Sequence, residues 1–167
     1  MSVHAAKGLE FPVVFVPQMG KRINLRDCHG SILADRKAML GMDVADVERG
    51  IRYPSLAWML VESRIRAQSL AEELRVLYVA TTRAKEHLIL VGTCTEKEVG
   101  RWHELHADMP GALGPEAFLS ATTMLHWVGP ATAALASQSP GAFRTEWHPA
   151  EEIAQWLAAR SGKGRPA

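Results

Sequence analysis

Two short stretches concentrate side chains capable of chemistry. The first is Ser2-Val3-His4-Ala5-Ala6-Lys7-Gly8-Leu9-Glu10-Phe11, with a hydroxyl, an imidazole, an amine, a glycine and a carboxylate close together. A glycine at position 8 lets backbone approach a ligand closely. His4 and Lys7 suit phosphate contacts, and Glu10 suits a sugar hydroxyl. The same residues also read as a polar loop entering a strand. The second stretch is Thr81-Thr82-Arg83-Ala84-Lys85. Arg83 falls where an apolar helix ends and a buried strand begins, so its charge must be paired or face a ligand. A planar guanidinium binds phosphoryl oxygens bidentately. A helix C-terminus also favours a cation through its dipole, and both readings stay open at this level.

Other candidates are weaker. His103-Glu104-Leu105-His106 places its second histidine one residue too early for the His-Glu-x-x-His zinc motif, and no third ligand is evident. Trp58, Trp102, Trp127, Trp147 and Trp156 sit among aliphatics, which favours packing over base stacking. The sequence holds no Gly-x-x-x-x-Gly-Lys-[Ser/Thr] phosphate loop.

The elements that must hold these residues follow from periodicity. Phe11–Val16 and His87–Gly92 are continuous apolar runs, expected as strands buried on both faces in a parallel sheet. Residues 55–83 are expected as one long helix capped by Ser55, with Leu56, Leu60, Ala67, Leu70, Leu74 and Leu77 at 3- and 4-residue spacing. Its last apolar stretch, Leu77-Tyr78-Val79-Ala80, is expected to be enclosed, and Glu62 is expected to pair with Arg66 one turn on. Between the first strand and this helix lies a polar, glycine-punctuated segment with a weak strand signal at Ser31–Ala34. Helices are expected over 98–106, 117–127 and 151–160, and a strand over 143–148. Strand, helix, strand is the α/β signature.

Composition bounds the class. The 167 residues are 47% hydrophobic and 22% charged with net charge +1, ordinary for a globular chain. A strongly basic DNA-coating protein is excluded, although residues 1–95 carry +3 and residues 96–167 carry −2. Two cysteines, Cys28 and Cys94, make no disulfide framework. Apolar runs fall far short of the ~20 residues that span a bilayer, and no signal peptide is visible, so a cytoplasmic location is expected.

Ser2 to Phe15, reading Ser-Val-His-Ala-Ala-Lys-Gly-Leu-Glu-Phe-Pro-Val-Val-Phe, closely resembles motif V of UvrD/Rep-type superfamily 1 DNA helicases. Glu72 to Leu90, reading Glu-Glu-Leu-Arg-Val-Leu-Tyr-Val-Ala-Thr-Thr-Arg-Ala-Lys-Glu-His-Leu-Ile-Leu, resembles motif VI in the same order. Gly20-Lys21-Arg22-Ile23-Asn24, Tyr53-Pro54-Ser55-Leu56 and, more loosely, Phe118–Leu135 are similar to the AddA/RecB branch.

The resemblance implies an α/β fold. Residues 1–95 would be part of a RecA-like (P-loop NTPase-type) domain 2A, with parallel strands and a long helix. Residues 96–160 would be a mainly helical extension toward a nuclease domain, and 161–167 a flexible tail. It implies ATP binding by Gly8, Glu10, Lys7 and Arg83, with Arg83 the catalytic arginine finger and Glu10 near the ribose. Ser2 and His4 would contact DNA. ATP and Mg2+ would serve the longer protein, and neither they nor any other metal is expected on this chain alone. Partners would be single- and double-stranded DNA, the N-terminal helicase domains and an AddB-like subunit, with no membrane. Walker A, Walker B and the family's nuclease signature are absent from the sequence. The expectation is therefore a C-terminal piece of an AddA-like ATP-dependent helicase/nuclease of double-strand break repair and recombination, inactive by itself. The alternative is a free-standing, non-catalytic DNA- or protein-binding remnant. Uncovered sheet edges would make self-association of the piece plausible.

Overall fold

The computed structural model describes residues 8–35, 39–108, 114–138, 141 and 143–161. Residues 1–134 form one compact unit and residues 135–167 a second. The fold is α/β, as the strand–helix–strand pattern implies.

In the first unit, β1 (Phe11–Val16) pairs in parallel with β5 (Ala84–Leu90). A parallel pair needs a long connection. Here it contains an antiparallel sheet, β2 (Ile32–Asp35), β3 (Met39–Asp46) and β4 (Ile51–Pro54), and then the helix α1 (Leu56–Thr81). A single 3-10 turn, Arg26–Cys28, precedes β2. Ser55 caps α1: its Oγ accepts from the Trp58 backbone N–H at 3.0 Å. Such a cap is worth about 1 kcal/mol.

α1 is the shared spine. Its buried residues are Val61, Leu70, Leu77 and Ala80, while Leu56 and Leu60 face outward. The antiparallel sheet covers the first half of the helix. The second half joins a core of Met19, Leu70, Leu77, Ala121 and Trp127, against which Val16, Ile23, Leu90, Met124 and Leu125 pack. Asp35 on β2 is almost fully buried against the spine. Gln68 Nε2 donates to its Oδ1, and Arg64 Nε lies 3.3 Å from its Oδ2.

Several expectations need correction. The strands are not buried on both faces: Val13 and Phe15 are exposed, because the described parallel sheet has only two strands. Tyr78 is also exposed, although Leu77 and Ala80 beside it are buried. Arg66 makes no ion pair with Glu62; its Nε instead donates to the Leu119 carbonyl. The expected helix over 117–127 is two helices, α3 (Pro115–Leu119) and α4 (Leu125–Gln138). The break lies where Thr122 and Thr123 run beside residues 22–23, with Ile23 N–H donating to the Thr122 carbonyl at 2.8 Å. The helix α2 (Glu96–Asp108) precedes them, and its Trp102 ring lies on Gly129 of α4. A Cβ at 129 would sit 2.5 Å from that ring.

In the second unit, residues 144–149 take no regular structure, so the strand expected over 143–148 does not form. Its charges face one another instead. Arg144 pairs with Glu146 at 2.6 Å, and His148 Nδ1 lies 3.2 Å from Glu152 in α5 (Ala150–Ser161). No helix among the described residues is long and apolar enough to cross a membrane.

Candidate functional site

Parallel pairing puts the amino ends of β1 and β5 side by side. Phe11 N–H donates to the Arg83 carbonyl at 2.9 Å, and Phe11 stands opposite Ala84. The described end of the first stretch, Gly8–Phe11, and the second stretch, far apart in sequence, therefore share one rim. Gly8 has φ +84°, in the left-handed region, and among the described residues no atom beyond its chain neighbours lies within 4 Å of where a Cβ would be. Conformation rather than space requires glycine there.

Arg83 is half-buried and held on three sides. Its Nε donates to the Val79 carbonyl (3.3 Å), one Nη to the Leu9 carbonyl (3.3 Å) and the other to Thr82 Oγ1 (3.2 Å). Val79 lies in the last turn of α1, where carbonyls lack intrahelical partners, so part of this anchorage is a helix C-terminal contact. The Leu9 contact ties the guanidinium to the Gly8–Glu10 segment. All three acceptors are neutral oxygens. The arginine is thus oriented without being neutralised by any described carboxylate.

Glu10 lies on the same rim, 3.2 Å from Lys85 Nζ, with both side chains more than half exposed. A pair this open contributes about 0–1 kcal/mol. Residue types and spacing give Lys85 no role. The signal that finds it is the parallel register, which sets Lys85 one residue beyond the partner of Phe11. Ser2, His4 and Lys7 lie outside the described residues.

An open groove of about 710 Å3 runs along β1 from Arg83 toward Lys21 and Arg22. Phe11, Val13, Phe15, Val76 and Ala80 give it a mostly apolar wall.

A polar cluster occupies the opposite ends of the strands, where Thr95 and Glu98 form a reciprocal cap on α2. Glu98 Oε2 accepts from Thr95 N–H (2.7 Å) and Thr95 Oγ1 (2.9 Å), while Thr95 Oγ1 accepts from Glu98 N–H (3.3 Å). His126 Nε2 lies 3.2 Å from Glu98 Oε1, and its Nδ1 accepts from Thr122 N–H at 3.2 Å. These bonds, first the Thr95 backbone N–H and then His126, hold the Glu98 carboxyl below the ordinary glutamate range. The cluster ties α2 to α4 and uses its polar atoms on itself. Burial pushes the Cys28 and Cys94 thiols up, which disfavours the reactive thiolate. Among the described residues no group of three His, Cys, Asp or Glu is placed to hold a metal.

Residues 1–95 match the model of the UvrD-like helicase C-terminal domain, and the chain belongs to that family. Within it, the chain is similar to an ATP-dependent helicase/nuclease subunit from Heliobacterium modesticaldum, 44% identical over 135 residues. It is also 45% identical over 134 residues to the protein of the same name from Clostridium botulinum strain Hall. Each alignment covers 78% of this chain and 10% of the relative, so the chain spans about a tenth of the length of the curated relatives it matches.

Proposed function

We propose that this chain is the motif V–VI part of an AddA-like ATP-dependent DNA helicase/nuclease, acting in double-strand break repair and recombination in the cytoplasm. Its contribution to the motor is one half of an ATP site. The observation that carries this reading is Arg83, held by the carbonyls of Val79 and Leu9 with no described carboxylate against it, on the same rim as Gly8 and Glu10.

During hydrolysis, negative charge spreads over the oxygens of the γ-phosphoryl group as it passes from ATP to water. Arg83 stabilises that charge through its forked donors, already aimed by the helix end. Their orientation needs no reorganisation at the moment of reaction. Glu10 accepts from the ribose, Lys85 orients Glu10, Gly8 permits close backbone approach and Lys7 adds positive charge. Ser2 and His4 contact the single strand. Mg2+ accompanies the nucleotide and is assigned to no residue of this chain. Residues 1–95 serve as part of domain 2A, 96–160 as the extension toward a nuclease domain and 161–167 as a tail. The partners are single- and double-stranded DNA, the N-terminal helicase domains and an AddB-like subunit.

Without a phosphate-loop lysine in its sequence, the chain alone is expected to turn over no ATP. In the full-length polypeptide carrying this segment, Arg83→Ala is expected to lower the DNA-stimulated ATPase kcat by about 10³-fold or more, with KM for ATP little changed. Arg83→Lys should restore little, because a point charge lacks the fork. A kcat within tenfold of the parent would overturn the assignment. An unfolded variant is recognised by its lost circular dichroism.

A further inference from the structure

The antiparallel sheet has two unlike faces, and register assigns each residue. Leu33 stands opposite Gly41. Leu33 is buried, and a Cβ on Gly41 would lie 2.5 Å from the Trp58 Cα. That face is therefore the one laid on α1. The other carries Ile32 opposite Met42, Ala34 opposite Leu40, and Val44 opposite Tyr53, with Ile51 beside them. Ile32, Leu40, Met42, Val44, Ile51 and Tyr53 are 37–65% exposed. Among the described residues the face has one charged member, Asp46, at the turn end. Its carboxylate is already engaged by the Arg49 backbone N–H (3.1 Å) and guanidinium (3.7 Å).

Half-solvated antiparallel sheets normally alternate apolar-in and polar-out. This sheet inverts the outer half of that rule over three adjacent strands. The six side chains expose on the order of 600 Å2, the upper end of the largest patch on an ordinary monomer.

We infer that this outer face is a self-association surface, on which a second copy of the chain lays the same face. Two such faces would together remove on the order of 1,200 Å2 from water, the lower limit of a standard specific interface. A two-fold contact of this kind is self-complementary by construction. Aligned sheet-on-sheet packing at ~10 Å lets the side chains of the two faces interdigitate. The uncharged centre has the composition of a homodimer interface core rather than of a transient polar contact. Pro54 lacks an N–H and blunts the β4 edge, which favours face packing over edge pairing here. This surface differs from the open edges of the parallel pair, where the sequence alone placed self-association.

The test is sedimentation velocity of the chain from low micromolar to several hundred micromolar, with circular dichroism as the fold control. The expected result is a reversible monomer–dimer equilibrium, weakened at least tenfold by Met42→Lys and, independently on another strand, by Ile32→Glu. Both positions are solvent-exposed in the monomer, so helicity should be retained. Phe15→Lys on β1 should leave the equilibrium unchanged. A monomer at every concentration, a dimer that persists in both folded outer-face variants, or a dimer dissolved by Phe15→Lys would each overturn the proposal.

Discussion

The parallel pair β1/β5 and the antiparallel sheet β2–β4 rest on the same helix but do different work. In the parallel pair, strand direction is what matters. It brings Gly8, Glu10, Arg83 and Lys85, from two distant stretches, to one rim. In the antiparallel sheet, facing is what matters, since alternate residues are divided between α1 and an apolar outer surface. One region gathers polar groups at its end, and the other spreads apolar groups over its side. A single spine supports both because its two halves meet different neighbours: Ala57 and Trp58 lie against Gly41 of the antiparallel sheet, and Leu70 and Leu77 join the core with Met19 and Trp127.

The division can be broken from either side. The largest effect is expected from Trp127→Ala, which empties part of the core behind the second half of α1 and removes the Nε1–H bond to the Phe118 carbonyl. Replacing a buried tryptophan typically costs about 3–5 kcal/mol. Hydrogen exchange should show β1 and β5 amides losing more protection than those pairing β3 with β4. Equal loss in both would mean that the two regions unfold as one unit.

A smaller effect, about 1–3 kcal/mol, is expected of Gly41→Val, whose side chain would overlap the α1 backbone at Trp58. Thermal melts with exchange readout should place this loss in β2–β4 and leave the Arg83 rim protected. A rim that loosens as much would contradict the separation.

The smallest is a pH effect at Glu98. Its folded-state pKa is lowered, so the stabilisation is complete above the ordinary glutamate value near 4.3. It is lost as the pH falls through the lower folded-state value. Denaturant titrations of parent and Glu98→Gln should differ at neutral pH and converge toward acid. A constant difference across that range would assign the stabilisation to packing rather than to the carboxylate.

Legibility in the sequence follows the same division. Phe11–Val16 is a strand with the bounds its apolar run implies, and the Ser55 cap and long helix are where spacing places them, to within two residues. Continuous apolar runs and caps are local signals. β3 and β4 are not legible in this way, although Leu40, Met42 and Val44 alternate with Gly41, Asp43 and Ala45. The alternation is inverted, with its smallest residue against the helix and its larger apolar side chains outward, so it reads as neither a buried strand nor a polar loop. The helix expected over 117–127 breaks at Thr122 because that backbone bonds to Ile23, a contact about a hundred residues away in the chain.

By itself, the sequence determined the chemistry on offer and the family to which the chain belongs. Motif residues 2–15 and 72–90 are contiguous strings whose order needs no folding to be read. Only the tertiary structure decided that Arg83 is oriented by the Leu9 and Val79 carbonyls with no described carboxylate to neutralise it, that Lys85 meets Glu10, and that the outer face of β2–β4 is bare. Each of these depends on strand direction, register or facing. Those are set by pairing between distant segments, and no local window of residues contains them.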